Sequence, residues 1–153
     1  MRGLEHKVPP PLVGLLTGAA MWLCAQQATV VGIETRLRIG LALSLLVLGL
    51  TFSILGAVAF RHAKTTVNPL RPAAASSLVI GGIYRYTRNP MYVGMATVLL
   101  GWAVYLAAPF TLLGPALFAA YITRFQIIPE ERVLRDKFGE AFTAYSKTVR
   151  RWL

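Results

Sequence analysis

The sequence is short of acid and nearly free of sulfur chemistry. Six Asp and Glu residues stand against 16 Lys and Arg, and Cys24 is the single cysteine. One cysteine permits neither an internal disulfide nor a thiolate cluster, so Cys24 reads as a small apolar filler, and no metal centre is expected. Charge of either sign is missing from three long runs, between Lys7 and Glu34, between Arg38 and Arg61, and between Arg88 and Arg124. Coupled transport usually sets an ionisable group deep within a span, and these runs hold no Asp or Glu, which argues against a small transporter or channel. No G-x-G-x-x-G follows a strand and no βαβ pattern exists, so a soluble dinucleotide-type cofactor site is excluded.

What is present is apolar and clustered. With 56% hydrophobic and 14% charged residues, the chain lies far from an average soluble domain, and its 153 residues amount to one domain. A spanning helix needs roughly 20 apolar residues, so each of the first two uncharged runs suits one helix. The third run has 35 uncharged residues. As one helix it would be about 50 Å long against a hydrocarbon core of about 30 Å, so it suits two. Ala107-Ala108-Pro109-Phe110-Thr111 is the expected turn between them, because proline removes a backbone donor and ends the preceding helix.

The fold class expected is therefore all-α: a polytopic membrane bundle forming a single domain. Its spans fall at about 12–33, 40–60, 90–107 and 110–128, followed by an amphipathic cytoplasmic helix at about 130–147. Four spans put all but two of the 16 Lys and Arg residues on one side, with Arg36 and Arg38 alone marking a short turn on the other. By the positive-inside rule both termini are expected to be cytoplasmic. The net charge of +10 then sets topology and meets anionic headgroups rather than nucleic acid. A signal peptide is the lesser reading of the first run, which exceeds a usual h-region and lacks an A-x-A-like site.

Within the spans, Gly49, Ser53 and Gly56 recur at spacings of four and three, which would let another helix approach closely. The polar connection from Arg61 to Ser77 carries Asn68-Pro69 and Arg71-Pro72, pairs that favour extended or turn geometry. His62, within it, reads as a solvated loop residue sooner than as a general base. Pro90 suits the first turn of the third span, whose free N–H groups form a natural place for a carboxylate. Arg124, near the end of the fourth span, is either a functional group or a snorkelling one. Leu134, Phe138, Ala141, Phe142 and Tyr145 share one face at helical spacing, the mark of the amphipathic helix after Pro129. Glu130 and Glu131 suit its first turn, where acids favour the helix dipole, and Glu131 can reach Arg135 at i,i+4.

The stretch on which the rest is arranged is Ser76 to Gly94, SSLVIGGIYRYTRNPMYVG, where a basic loop meets an apolar span. Arg85 and Arg88 interleave there with Tyr84, Tyr86 and Tyr92. Arg and Tyr at a span's end are ordinary interfacial anchors, and equally they can hold an anionic or aromatic ligand.

The spacing G-x-Y-x-x-x-R-N-P-M-Y from Gly82 to Tyr92, then Glu130-Glu131, then L-x-x-x-F-G-x-x-F-x-x-Y from Leu134 to Tyr145, resembles the isoprenylcysteine carboxyl methyltransferase family and its phospholipid methyltransferase relatives. The likeness covers about Thr66 to Arg151. It implies a membrane-embedded enzyme using S-adenosylmethionine on a lipid-like or small hydrophobic acceptor that enters from the membrane. It also implies that Ser76, Ser77, Leu78 and Val79 line the cofactor, that Tyr84 is its aromatic neighbour, and that Arg88, Asn89, Pro90, Met91 and Tyr92 form the turn beside it. Glu130 would take a hydroxyl or the ammonium of the cofactor. Asn89 stands where the isoprenylcysteine branch commonly has His, so proton shuttling is not expected there. That branch's substrate arginine, four residues before the first glutamate, is here Gln126, with Arg124 the nearest arginine; these two are the substrate-side candidates.

Methyl transfer needs positioning more than reactive groups. A carboxylate acceptor would need only desolvation, whereas an amine or thiol would need a base, for which Glu131 is the candidate, with Arg124 beside it. Carboxyl O-methylation is the first reading, phospholipid amine N-methylation or thiol S-methylation the alternatives, and a non-catalytic membrane scaffold a remoter one.

Overall fold

The computed structural model describes residues 7–63 and 76–153. The Asn68-Pro69 and Arg71-Pro72 pairs lie outside them. Among the described residues the chain is helical and without strands: α1 (Pro10–Ala25), α2 (Thr35–His62), α3 (Pro90–Leu106), α4 (Leu113–Ile122) and α5 (Ile128–Thr148). Tight 3₁₀ turns, Gly82–Arg85 and Pro109–Leu112, precede α3 and α4.

Two of the boundaries follow the proline logic closely. α3 begins at Pro90, where the missing N–H leaves no helical bond unmade. It ends at Ala107, which turns left-handed at φ 50°, and Pro109 then opens the turn into α4. Three other boundaries depart from expectation. α1 stops at Ala25 rather than near 33, and the chain beyond it is held from outside, Val31 N–H donating to Ala107 O at 2.7 Å. Arg36 and Arg38 lie within the first turn of α2 instead of in a loop, because Glu34 caps that helix by accepting from Leu37 N–H at 2.7 Å.

Pro129 is the third departure, since it does not end the last span. It cannot donate to the carbonyl of Phe125, and its ring would crowd that carbonyl. The helix widens into one π turn, Thr123–Ile127, and continues into α5 without a break. The interruption falls later, at Gly139, whose φ of 51° and ψ of −120° are not helical.

α2 and α3 form the most extensive helix pair. The small residues expected to allow it do so. A Cβ on Gly49 would lie 2.6 Å from Gly94 O, one on Gly56 would lie 2.8 Å from Met91 Cγ, and one on Gly94 would collide with Ser53 Oγ and Gly49 O. The core sits where α1, α3 and α4 meet, around Val13, Leu99, Phe118 and Ile122. Leu41, Leu43, Val47, Leu50 and Ile54 of α2 instead face outward and exposed. α2 and the helical stretch Pro109–Thr148 are long and apolar enough to cross a membrane, whereas α1 and α3 are shorter.

Candidate functional site

Three sequence candidates converge at one end of the bundle. Gly82, at φ 60°, makes the 3₁₀ turn that delivers Tyr84 into a buried position, edge-on to Phe60 of α2 with ring centroids 5.4 Å apart. Tyr84 is fixed again by its carbonyl, which accepts from Tyr145 OH at 2.7 Å. Tyr92, one turn into α3, is buried and hydrogen-bonds to the Glu130 carboxyl. Tyr84 lies close enough for the same carboxyl to act on it electrostatically.

Glu130 is the unusual member. Its Oε2 is buried and has no hydrogen-bond partner among the described residues. Burial raises its pKa, the Tyr92 hydrogen bond opposes that, and the neighbouring charge of Glu131 adds to it, leaving the group at about 7. Burial likewise pushes the Tyr84 phenol well up, with Glu130 contributing. An unsatisfied carboxylate oxygen of this kind lacks a cationic or hydroxyl partner.

Glu131 faces elsewhere, since successive helix residues point about 100° apart at 3.6 residues per turn. Its expected neighbour Arg135 is not its partner. Arg88 Nη2 donates to its Oε1 at 2.7 Å, while Arg151 donates to Oε1 through Nε at 3.0 Å and to Oε2 through Nη2 at 2.7 Å. Burial alone would raise the pKa of Glu131. The two arginines outweigh it and hold the group below the ordinary carboxylate range. A carboxylate doubly paired in this way is a poor base, so the base assignment to Glu131 is replaced by that of a clamp.

The clamp closes the segment after α5 onto the start of α3. Arg88 Nη1 also donates to Ser146 O at 2.9 Å and Val149 O at 2.7 Å, and its backbone N–H to Arg150 O at 2.9 Å. Asn89, rather than capping α3 with its side chain, donates Nδ2 to Arg151 O at 2.9 Å. Buried Thr87 accepts from Asn89 N–H at 3.2 Å and donates to Arg151 O at 3.3 Å. Arg88 and Asn89 thus act here as struts.

The remaining candidates lie around this centre. Pro90 and Met91 pack against Gly56 of α2. Ser76 is exposed, Leu78 and Val79 are half-buried, and Ser77 Oγ donates to Ala63 O at 3.2 Å, which ties the segment to the end of α2. The π turn carries the substrate-side pair. Arg124 lies 5.3 Å from the centre of the Phe125 ring, and buried Gln126 donates Nε2 to Val8 O at 2.9 Å, fastening the stretch before α1. Sequence reasoning missed Arg151 and Thr87. The Arg150-Arg151-Trp152 run was the available signal, but it has no helical period to show which way it folds.

The model of the phospholipid methyltransferase family matches residues 37–141, well over half of the chain. That stretch contains nearly all of α2, all of α3, both tyrosines and the paired acids. An uncharacterized protein of Haemophilus influenzae (strain ATCC 51907 / DSM 11121 / KW20 / Rd) is 40% identical over 63 residues, which are 41% of this chain and 100% of that relative. No solved structure matches. The family match and the isoprenylcysteine-type motifs agree, because the two families share one superfamily: the chain belongs to the phospholipid methyltransferase family.

Proposed function

We propose that the protein is a membrane-embedded methyltransferase using S-adenosylmethionine, with the donor held where Tyr84, Tyr92 and Glu130 meet. The observation that carries this reading is the buried, unpartnered Oε2 of Glu130 beside two tyrosines, inside the family-matched region. S-adenosylmethionine presents an ammonium, ribose hydroxyls and a flat adenine. A carboxylate oxygen without a partner and two aromatic rings are a chemically fitting set for those groups. When bound, the donor would supply an electrophilic sulfonium methyl group, which an acceptor nucleophile attacks as the S–CH3 bond breaks and the neutral thioether leaves.

The chain's own residues do the positioning. Tyr92 holds one side of the Glu130 carboxyl, leaving Oε2 for the donor. Arg88, Glu131 and Arg151 fix α5 against the start of α3, so that Glu130 and Tyr92 keep their spacing; this is orientation rather than proton transfer. Ser76 to Val79 would close the donor from the loop side. The acceptor is a lipid-like molecule arriving laterally between helices.

Four membrane crossings accompany this reading. α1 and α3, at about 24 and 26 Å, approach a core of about 30 Å and cross beside the two longer helices. Both termini and the donor site then lie on the cytoplasmic face.

The test is calorimetry of the purified protein with S-adenosylmethionine, followed by transfer of labelled methyl to a phospholipid amine, an isoprenylcysteine carboxylate and a small thiol. Saturable binding that Glu130→Ala removes and Lys147→Ala leaves intact is expected. Absence of saturable binding to the wild-type protein would overturn the reading. The acceptor that gains label identifies the nucleophile.

A further inference from the structure

A hollow lies away from the paired acids. α1 and α2 splay apart over α3 and leave a groove of about 1170 Å³, above the roughly 300–1,000 Å³ of ordinary ligand pockets. Along α1 it runs from Pro11 to Trp22, and along α2 from Ala42 to Ser53, about 17 Å in each case at 1.5 Å per residue. Its walls are almost wholly apolar, and Gly14, Gly18 and Gly101 keep it open. A long, narrow, apolar trough on a membrane helix bundle matches a hydrocarbon chain in shape and polarity.

One end of the groove carries a cation and a ladder of rings. Trp102 and Tyr105 line that end and stack, with centroids 5.4 Å apart and planes 14° from parallel. Arg38 lies over the Tyr105 ring at 5.8 Å. Arg38 also stands one helical turn before Ala42 and two before Leu46, both lining residues, so it belongs to the face of α2 that forms the wall. Its Nε is buried without a hydrogen-bond partner, and it has no carboxylate partner among the described residues. Glu34, the nearest acid in sequence, is occupied in capping Leu37 N–H. Tyr105 lies 13 residues beyond Tyr92 on α3, about 20 Å along the axis, so this end is remote from the donor site.

We propose that this groove binds one phospholipid with an anionic headgroup, an acyl chain lying along α3 and the phosphate seated on Arg38. The bound molecule is a resident of the bundle and not the methyl acceptor. Its phosphate pairs with the Arg38 guanidinium, and its acyl chain fills the gap between α1 and α2. The inference rests on the membrane reading above and is independent of methyl transfer.

Trp22 and Trp102 line the groove and report directly on its contents. The experiment reconstitutes the wild-type chain in phosphatidylcholine vesicles, adds phosphatidylglycerol brominated in its acyl chains, and follows quenching of tryptophan fluorescence. Quenching that saturates at low mole fraction is expected, stronger than with brominated phosphatidylcholine and weakened about fivefold by Arg38→Gln, the effect of one basic residue at an anionic surface. Quenching that rises linearly with mole fraction and ignores the headgroup would overturn the proposal on the wild-type protein alone. Equal saturation in Arg38→Gln would overturn the seat for the phosphate. No methyl donor is present, so failure here and failure of methyl transfer are separate results.

Discussion

Adjacent glutamates with opposite surroundings make the sharpest contrast at the scale of single residues. Glu130 is buried and titrates at about 7, so between the ordinary carboxylate range and that value the folded chain holds a proton that the unfolded chain has lost. Its contribution to stability therefore falls as pH rises through that window and levels off above it, by on the order of 3 kcal/mol at about 1.4 kcal/mol per unit. A donor ammonium wants the opposite form, so binding of S-adenosylmethionine should strengthen from about pH 6 to about pH 8 as Glu130 ionises. Calorimetry at both values on wild type and Glu130→Gln checks this. The donor's own titration is common to both proteins, so only the wild type should show the additional gain. Glu131 leads to a different expectation. Its side chain and that of Arg88 are 12% and 11% exposed, while that of Arg151 is 36% exposed. Removing the carboxylate strands a buried guanidinium, which costs about 3–5 kcal/mol for a broken buried pair. Removing Arg151 leaves Glu131 paired with Arg88 and deletes only a cation that water already reaches, for about 1 kcal/mol. Thermal unfolding should thus rank Glu131→Ala well below Arg151→Ala, and equal losses would contradict the clamp. The order Tyr92, Glu130, Glu131 was legible in the sequence. The partner of Glu131 was not, because helical spacing points to Arg135 and nothing local indicates that Arg151 returns from 20 residues away.

Among the helices, what could be read in advance is what a single element dictates by itself. Uncharged runs gave α2 and α3, prolines gave the start of α3 and the turn after it, and the Gly49-Ser53-Gly56 spacing gave the face on which they meet. The misreadings arose where a neighbour decides. Glu34 draws Arg36 and Arg38 into α2 by capping it, and Pro129 is absorbed because the bundle holds Thr123–Ile127 in a wider turn. Gly139, inside the stretch expected to form one amphipathic helix, is the kink. The helix pair itself can be tested by volume. At Gly94 a methyl group meets Ser53 Oγ and the carbonyl of Gly49, and backbone cannot step aside as a side chain can. Gly94→Ala should cost about 1–3 kcal/mol by overpacking. Gly40 of α2 has nothing within 4 Å of its Cβ position, so Gly40→Ala should instead stabilise by up to about 1 kcal/mol through helix propensity. Opposite signs in thermal unfolding of the two variants are the expected outcome, and a loss of equal size in both would deny the close crossing.

For the whole molecule, the arrangement sets a buried carboxyl at one end and an arginine over stacked rings at the other. Gln126 ties Val8 beside the π turn, so the start of α1 lies at the end where Glu130 and Tyr92 meet, and α1 then runs toward the opposite end, with Gln27 just past its last turn. Tyr145 and Ser146 are bonded to Tyr84 and Arg88, which keeps exposed Lys147 at the end where Glu130 and Tyr92 meet. If α1 crosses the bilayer, Gln27 and Lys147 must face different compartments, and the proposed topology puts Lys147 on the cytoplasmic side. With Cys24→Ser as background, Gln27→Cys and Lys147→Cys place one thiol at each end, both on exposed positions. In sealed, oriented vesicles a membrane-impermeant maleimide should label each from one side only, and from opposite sides. Labelling from the same side would mean that α1 lies along the membrane without crossing it. The groove between α1 and α2 would then open to the headgroups and not to the acyl chains, and a hydrocarbon chain would have no reason to lie there.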